Sequence, residues 1–244
     1  MRRMRGVAVA VALALSTGMA VLPVSAQTGS QTEPILFHII SAPGDALYYD
    51  FAQSIRLSVE ISGVPIAVLD VEQMGREAVR TLNVKPDGSM MVEAALEDFS
   101  QIASGHTQEI LFSPVTLTLR PNGKIVDIDM TFPDAQLIKD SSFEMPDRPL
   151  AAGDSWTAPF EADEQGMHIR GTSTITLAGV ESTSSGRVGH FRTRWEGTVT
   201  GGNFGTLPPG VQAHFTATAR GSGETDWSVD RGRLLGDTSE TTIE

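Results

Sequence analysis

Ile55-Arg56-Leu57-Ser58-Val59-Glu60-Ile61 is the stretch whose reading decides the fold class. Its four aliphatic residues alternate with arginine, serine and glutamate. A strand sends successive side chains to opposite faces, so this spacing gives one apolar face and one polar face. Met90, Val92, Ala94 and Leu96 repeat the pattern. Val115, Leu117 and Leu119 repeat it again around Thr116 and Thr118. Such alternation belongs to antiparallel sheet with one side on a core and one side in water.

Turn signals join these runs. Pro86-Asp87-Gly88-Ser89 lies between Leu82-Asn83-Val84 and Met90-Met91-Val92. Pro121-Asn122-Gly123-Lys124 lies between Leu117-Thr118-Leu119 and Ile125-Val126-Asp127. Asp-Gly and Asn-Gly supply the positive φ of a tight hairpin. Trp227 to Leu234 has a similar strand–turn–strand form, as a weak internal duplication would leave. The second half returns to period two in Thr172–Leu177, Phe191–Val199, Ala213–Ala219 and Glu224–Val229. Gly221-Ser222-Gly223 reads as a flexible hairpin.

The fold expected is all-β and mainly antiparallel: a curved sheet, a half-barrel or two packed β-subdomains. A first β half covers 35–132, and a second covers 153–244. Between them, 133–152 holds one short helix near 133–140 and a proline-rich crossing. Pro133-Asp134 at the start of that helix and Lys139 near its end follow helix-end preferences.

The first 26 residues give an address. Arg2, Arg3 and Arg5 precede an apolar run from Gly6 to Val24, and Val24-Ser25-Ala26 closes it with small residues. This is the pattern of a secretory signal peptide cut after Ala26. Ser16-Thr17-Gly18 and Pro23 break the run well below the ~20 residues a spanning helix needs. Residues 27–34 read as a flexible leader. The expected location is periplasmic or extracellular, with no membrane span after the cut.

The chain has 30 acidic and 18 basic residues, a formal charge of −12. Removal of the three signal arginines takes the mature chain to −15. That charge repels nucleic acid, which is not expected as a partner. There is no cysteine, so disulfides, thiol catalysis, thiolate metal sites and a lipoprotein anchor are all excluded.

Met145-Pro146-Asp147-Arg148-Pro149-Leu150-Ala151-Ala152-Gly153-Asp154-Ser155-Trp156 carries a resemblance. It is similar to a P-x-x-P-L-x-x-G-D-x-W block found in an uncharacterised family of secreted bacterial β-rich proteins. Met145 stands where leucine is more usual. That family has no assigned activity, so the resemblance implies no catalytic residues. More distantly, the layout is similar to the LolA/LppX-type lipoprotein and lipid carriers. The resemblance implies a half-barrel with an apolar ligand cavity, and this chain has less helix than those carriers. In physical terms, two prolines fix an extended crossing, Gly153-Asp154 turns it, and Trp156 plants a ring at a strand start.

Catalytic constellations are weak. Gly153-Asp154-Ser155 matches the nucleophile block of GDSL-type hydrolases only superficially, in the wrong fold context. His38, His106, His168, His190 and His214 have no metal-ligand spacing. Asp127 and Asp129 share a strand face, which reads as the wet side of a hairpin. Arg192 and Arg194 alternate with Phe191, Thr193 and Trp195, which reads as normal strand patterning, with a sugar- or anion-reading face as the alternative.

The function expected is therefore a soluble, exported, non-enzymatic protein. It binds an apolar small molecule such as a lipid, or an envelope protein. A structural or surface-interaction module is the alternative; a hydrolase or metal-dependent enzyme ranks below both. No catalytic residue, metal or cofactor is expected. Candidate ligand-binding residues are Trp156, Trp195, Met90 and Met130, the methionines because thioethers line adaptable apolar cavities.

Overall fold

The computed structural model describes residues 33–61, 64–103, 106–109, 113–129, 144–164, 167–202 and 214–243. The signal peptide read at 1–26, the helix read at 133–140 and Met130 lie outside the described residues. Those residues form strands and connections, with no helix among them. The strands are β1 (Ala46–Ile61), β2 (Val64–Val84), β3 (Met90–Ala103), β4 (His106–Glu109), β5 (Val115–Leu119) and β6 (Ile125–Asp129). After the crossing come β7 (Ser155–Glu164), β8 (Met167–Thr183), β9 (Gly186–Gly202), β10 (His214–Ser228) and β11 (Arg233–Ile243).

Two antiparallel sheets result, and neither closes into a barrel. The first runs β1-β2-β3-β5-β6. β4 and β5 pair with successive stretches of the same β3 edge, at Ser100–Ala103 and Met90–Ala94. The second is a plain meander, β7-β8-β9-β10-β11. β1 and β11 approach each other at the seam between the sheets.

Alternation places the core. On the second sheet Ile175, Leu177, Phe191 and Trp227 point inward, beneath Ile35, Phe37, Met145 and Leu150. On the first sheet Met90, Val92, Ala94 and Leu117 form the matching cluster. Ile39 packs against both clusters, so the inner faces of the two sheets look onto one interior. Extended segments on either side of the sheets hold this base together. Ile35 and Leu150 exchange backbone hydrogen bonds of 2.8 Å, and Met145 N–H donates to the Asn122 carbonyl at 2.8 Å.

The two halves are entered by the same device. Gly44 and Gly153 have φ of 93° and 92°, a left-handed conformation that glycine adopts without a Cβ penalty. Each is followed by an aspartate that caps its own turn. Asp45 accepts from Ala42 N–H at 2.7 Å, and Asp154 accepts from Ala151 N–H at 3.0 Å. Gly44 N–H donates to the Thr81 carbonyl and Gly153 N–H to the Leu177 carbonyl, both at 2.8 Å. Farther along, Phe51 stands directly opposite Gly75, and Phe160 directly opposite Gly171. Each half is thus a meander with the same entry turn and the same Phe/Gly pair.

Bulges correct the simple alternation in places. Asp98, at φ 51°, is the extra residue where Asp98 and Phe99 face Gly75. A shift between Thr118 and Leu119 brings Ile125 and Ile128 into line with Leu119 and Leu117, leaving Val126 exposed. Gly221-Ser222-Gly223 is a further correction, since it lies inside β10 and not at a hairpin. Gly223 is there for close packing: a Cβ on it would sit 2.7 Å from the Thr238 carbonyl oxygen.

Candidate functional site

The inner face changes character away from the base. Along β2, inward positions fall at Gln73, Gly75, Glu77, Val79 and Thr81, while Glu72, Met74, Arg76 and Arg80 are exposed. Polar residues therefore occupy the buried side of this strand. Gln73 is 1% exposed, Glu77 5% and Gln101 6%.

Strand register lines the glutamines up. Gln73 stands opposite Gln101 of β3, with Gln53 of β1 and Gln108 of β4 at the ends of the same row. Among the described residues, Gln73 Nε2 and Gln101 Oε1 have no hydrogen-bond partner. A buried polar group left unpaired costs about 1–3 kcal/mol. One amide here lacks an acceptor and the other lacks a donor, side by side.

Glu77 sits on the same face, four residues along β2. Burial alone pushes its carboxyl up to about 7. Tyr49, opposite Glu77 in β1, is pushed up to about 12. Burial is the main cause, the Glu77 charge adds to it, and Arg233 opposes it. The phenol therefore stays protonated across the physiological range.

Aromatic rings flank this polar row. Phe51 and Phe99 lie 6.0 Å apart, centroid to centroid, over Gly75. Phe160 and Trp195 make the equivalent pair on the second sheet, edge to face at 5.9 Å, with Phe160 against Gly171. A Cβ at Gly171 would collide with the Glu196 carbonyl and the Phe160 ring, so glycine is required.

The residues singled out from sequence fall in different places. Trp156 is half-buried in the second core cluster, edge-on to Phe191 at 6.0 Å. Its indole N–H donates to the Glu144 carbonyl at 3.0 Å. Trp195 shares its sheet face and packs on Phe160. Met90 belongs to the core of the other sheet. The structure brings Trp156 and Trp195 to one inner face and leaves Met90 apart from them. The glutamine row and Glu77 escaped sequence reasoning. Their signal was alternation itself, in Glu72-Gln73-Met74-Gly75-Arg76-Glu77, where both faces are polar.

Other chemistry-bearing groups are structural or exposed. Asp154 caps the turn before β7 and pairs with Arg148 at 2.9 Å. The Ala151 amide and the Arg148 guanidinium hold its carboxyl below the usual range. Asp127 and Asp129 are exposed on β6. His190 lies between Asp226 at 2.7 Å and Glu181 at 3.5 Å, contributed by β10 and β8. Among the described residues, no group of three or more histidines and carboxylates is arranged to hold a metal ion. Comparison with protein-family models, with curated proteins and with solved structures finds no match for this chain.

Proposed function

We propose that this chain is exported and acts as a non-enzymatic binding protein for an apolar small molecule that carries one polar group. The observation that carries this reading is the pair of unpaired buried amides, Gln73 Nε2 and Gln101 Oε1, beside the Phe51/Phe99 rings. A ligand hydroxyl or amide has both the acceptor that Gln73 needs and the donor that Gln101 needs. Its apolar part would lie along the aromatic inner face, which suits a lipid-like molecule. Export rests on the signal pattern of residues 1–26.

A titration of the purified chain with a neutral, apolar naphthylamine probe tests it. Binding with enhanced fluorescence, displaced by monoacylglycerol, is the expected result. Failure of the probe to bind at any concentration overturns ligand carriage and returns the protein to a surface-interaction module. Amino-terminal sequencing of the exported form is expected to begin at Gln27; a start at Met1 overturns the cleavage.

A further inference from the structure

The outward-directed residues of β8, β9 and β10 line a second feature, whose walls also include Phe160, Gly171 and Trp195. A cleft of about 680 Å³ is lined by Glu161, Arg170, Thr172, Glu196 and Thr198 among others. A cleft of about 460 Å³ adjoins it, lined by Thr172, Thr174, Arg194, Glu196, Arg220 and Ser222. Thr172 and Glu196 belong to both, so the two form one groove crossing the strands.

Register fixes where its charges sit. Arg194 stands opposite Ser222 on one side and Thr174 on the other. Arg220 stands opposite Glu196, one step down the same two strands. The arginines are thus diagonal neighbours on adjacent strands, roughly 7–8 Å apart at the backbone. Side chains of that length can converge on one group between them.

These arginines are available. Arg192, the next along β9, is engaged by Glu224 at 3.5 Å. Arg170, Arg194 and Arg220 make no ion pair among the described residues, although Arg170 faces Glu161 and Arg220 faces Glu196 across the ladders. Two acids line the groove, Glu161 and Glu196, and His168 engages the first at 3.3 Å. Register adds Glu240 of β11 beside Ser222. In a chain of net charge −12, Arg170, Arg194 and Arg220 gather around a hydroxyl-lined groove and offset its acids, so the groove lacks the negative excess of the chain as a whole. Planar guanidinium forks and hydroxyl donors together match the oxygens of a sulfate or phosphate group.

We propose that this groove binds a sulfate- or phosphate-type oxyanion, clamped by Arg194 and Arg220 and hydrogen-bonded by Thr172 and Thr174. Arg170, farther along the groove, takes a second such group when both are carried on one polar chain. The anion is free or chain-borne, and the two sources are distinguishable.

Isothermal titration of the full chain at low salt with sodium sulfate, sodium phosphate, dextran sulfate and unmodified dextran makes the test. Sulfate or phosphate is expected to bind and neutral dextran is not. Arg194→Ala/Arg220→Ala is expected to weaken binding roughly tenfold or more, from the loss of two charge-assisted contacts. Arg170→Ala is expected to weaken dextran sulfate alone. Binding weakens as salt rises, because the site is exposed. All three arginines are exposed, so unchanged thermal unfolding confirms that the variants fold. No binding of any anion, or equal weakening by the remote Lys85→Ala, overturns the proposal. Equal effects of Arg170→Ala on sulfate and dextran sulfate overturn the second subsite.

Discussion

Replacing Glu77 by glutamine isolates the cost of keeping a carboxyl on the inner face. Burial moves this group from 4.5 to about 7. Ionising it is then harder in the folded chain than in the unfolded one by about 3 kcal/mol. The sign follows from proton counts. Between pH 4.5 and 7 the folded chain keeps a proton that the unfolded chain has lost. Stability therefore falls as pH rises through that window and levels off above it. Below the window both states are protonated and the penalty vanishes. Glutamine has a similar shape and cannot ionise. Glu77→Gln should match the parent near pH 4 and exceed it at pH 8 by up to about 3 kcal/mol, or about 6–12 °C in Tm for a chain of this size. Urea unfolding followed by tryptophan fluorescence at several pH values measures the difference. Asp237, also raised by burial, leaves part of the slope in both proteins. Asp87, Asp154 and Asp230 are lowered by hydrogen bonds and act in a more acidic window, with the opposite sign. A stability difference that is constant with pH, or that grows toward acid, refutes the reasoning.

Three further substitutions test the fold. Gly44 and Gly153 share the same φ, and a Cβ on either meets no atom within 4 Å. Gly44→Ala and Gly153→Ala should each lose about 1–2 kcal/mol, purely from the backbone, and a large disparity in urea unfolding counts against equivalent entry turns. Met145 is 1% exposed in the core cluster of the second sheet. Met145→Ala should cost about 2–5 kcal/mol, and a loss below ~1 kcal/mol in the same assay would show that the crossing is not part of the core.

The all-β class, the antiparallel pairing and two hairpin turns were legible in period two and in Asp-Gly and Asn-Gly. Gly88 and Gly123 have φ of 82° and 90°, as those turns demand. The real strands extend far beyond the apolar runs that announced them. β2 spans Val64–Val84, but its Gln73 and Glu77 point inward while Met74 points out, so hydropathy loses the period there. The candidate site sits where that pattern inverts. Gly221-Ser222-Gly223 misled for a related reason. Small residues in β10 permit close approach of β11, a long-range contact that a local turn rule does not weigh. The repeated entry turn was written twice, in Ala42-Pro43-Gly44-Asp45 and Ala151-Ala152-Gly153-Asp154, but it is too short to be recognised without its hydrogen bonds.

The claim that the inner face holds an apolar molecule by a polar group is tested most directly by native mass spectrometry. The parent chain should be compared with Gln73→Leu/Gln101→Leu. Replacing both amides by apolar groups of similar size removes two unpaired buried groups, so the variant should fold at least as stably. The account predicts a parent that carries one organic molecule per chain and a variant that carries none. A bare parent, or a variant that keeps the same bound mass, contradicts it.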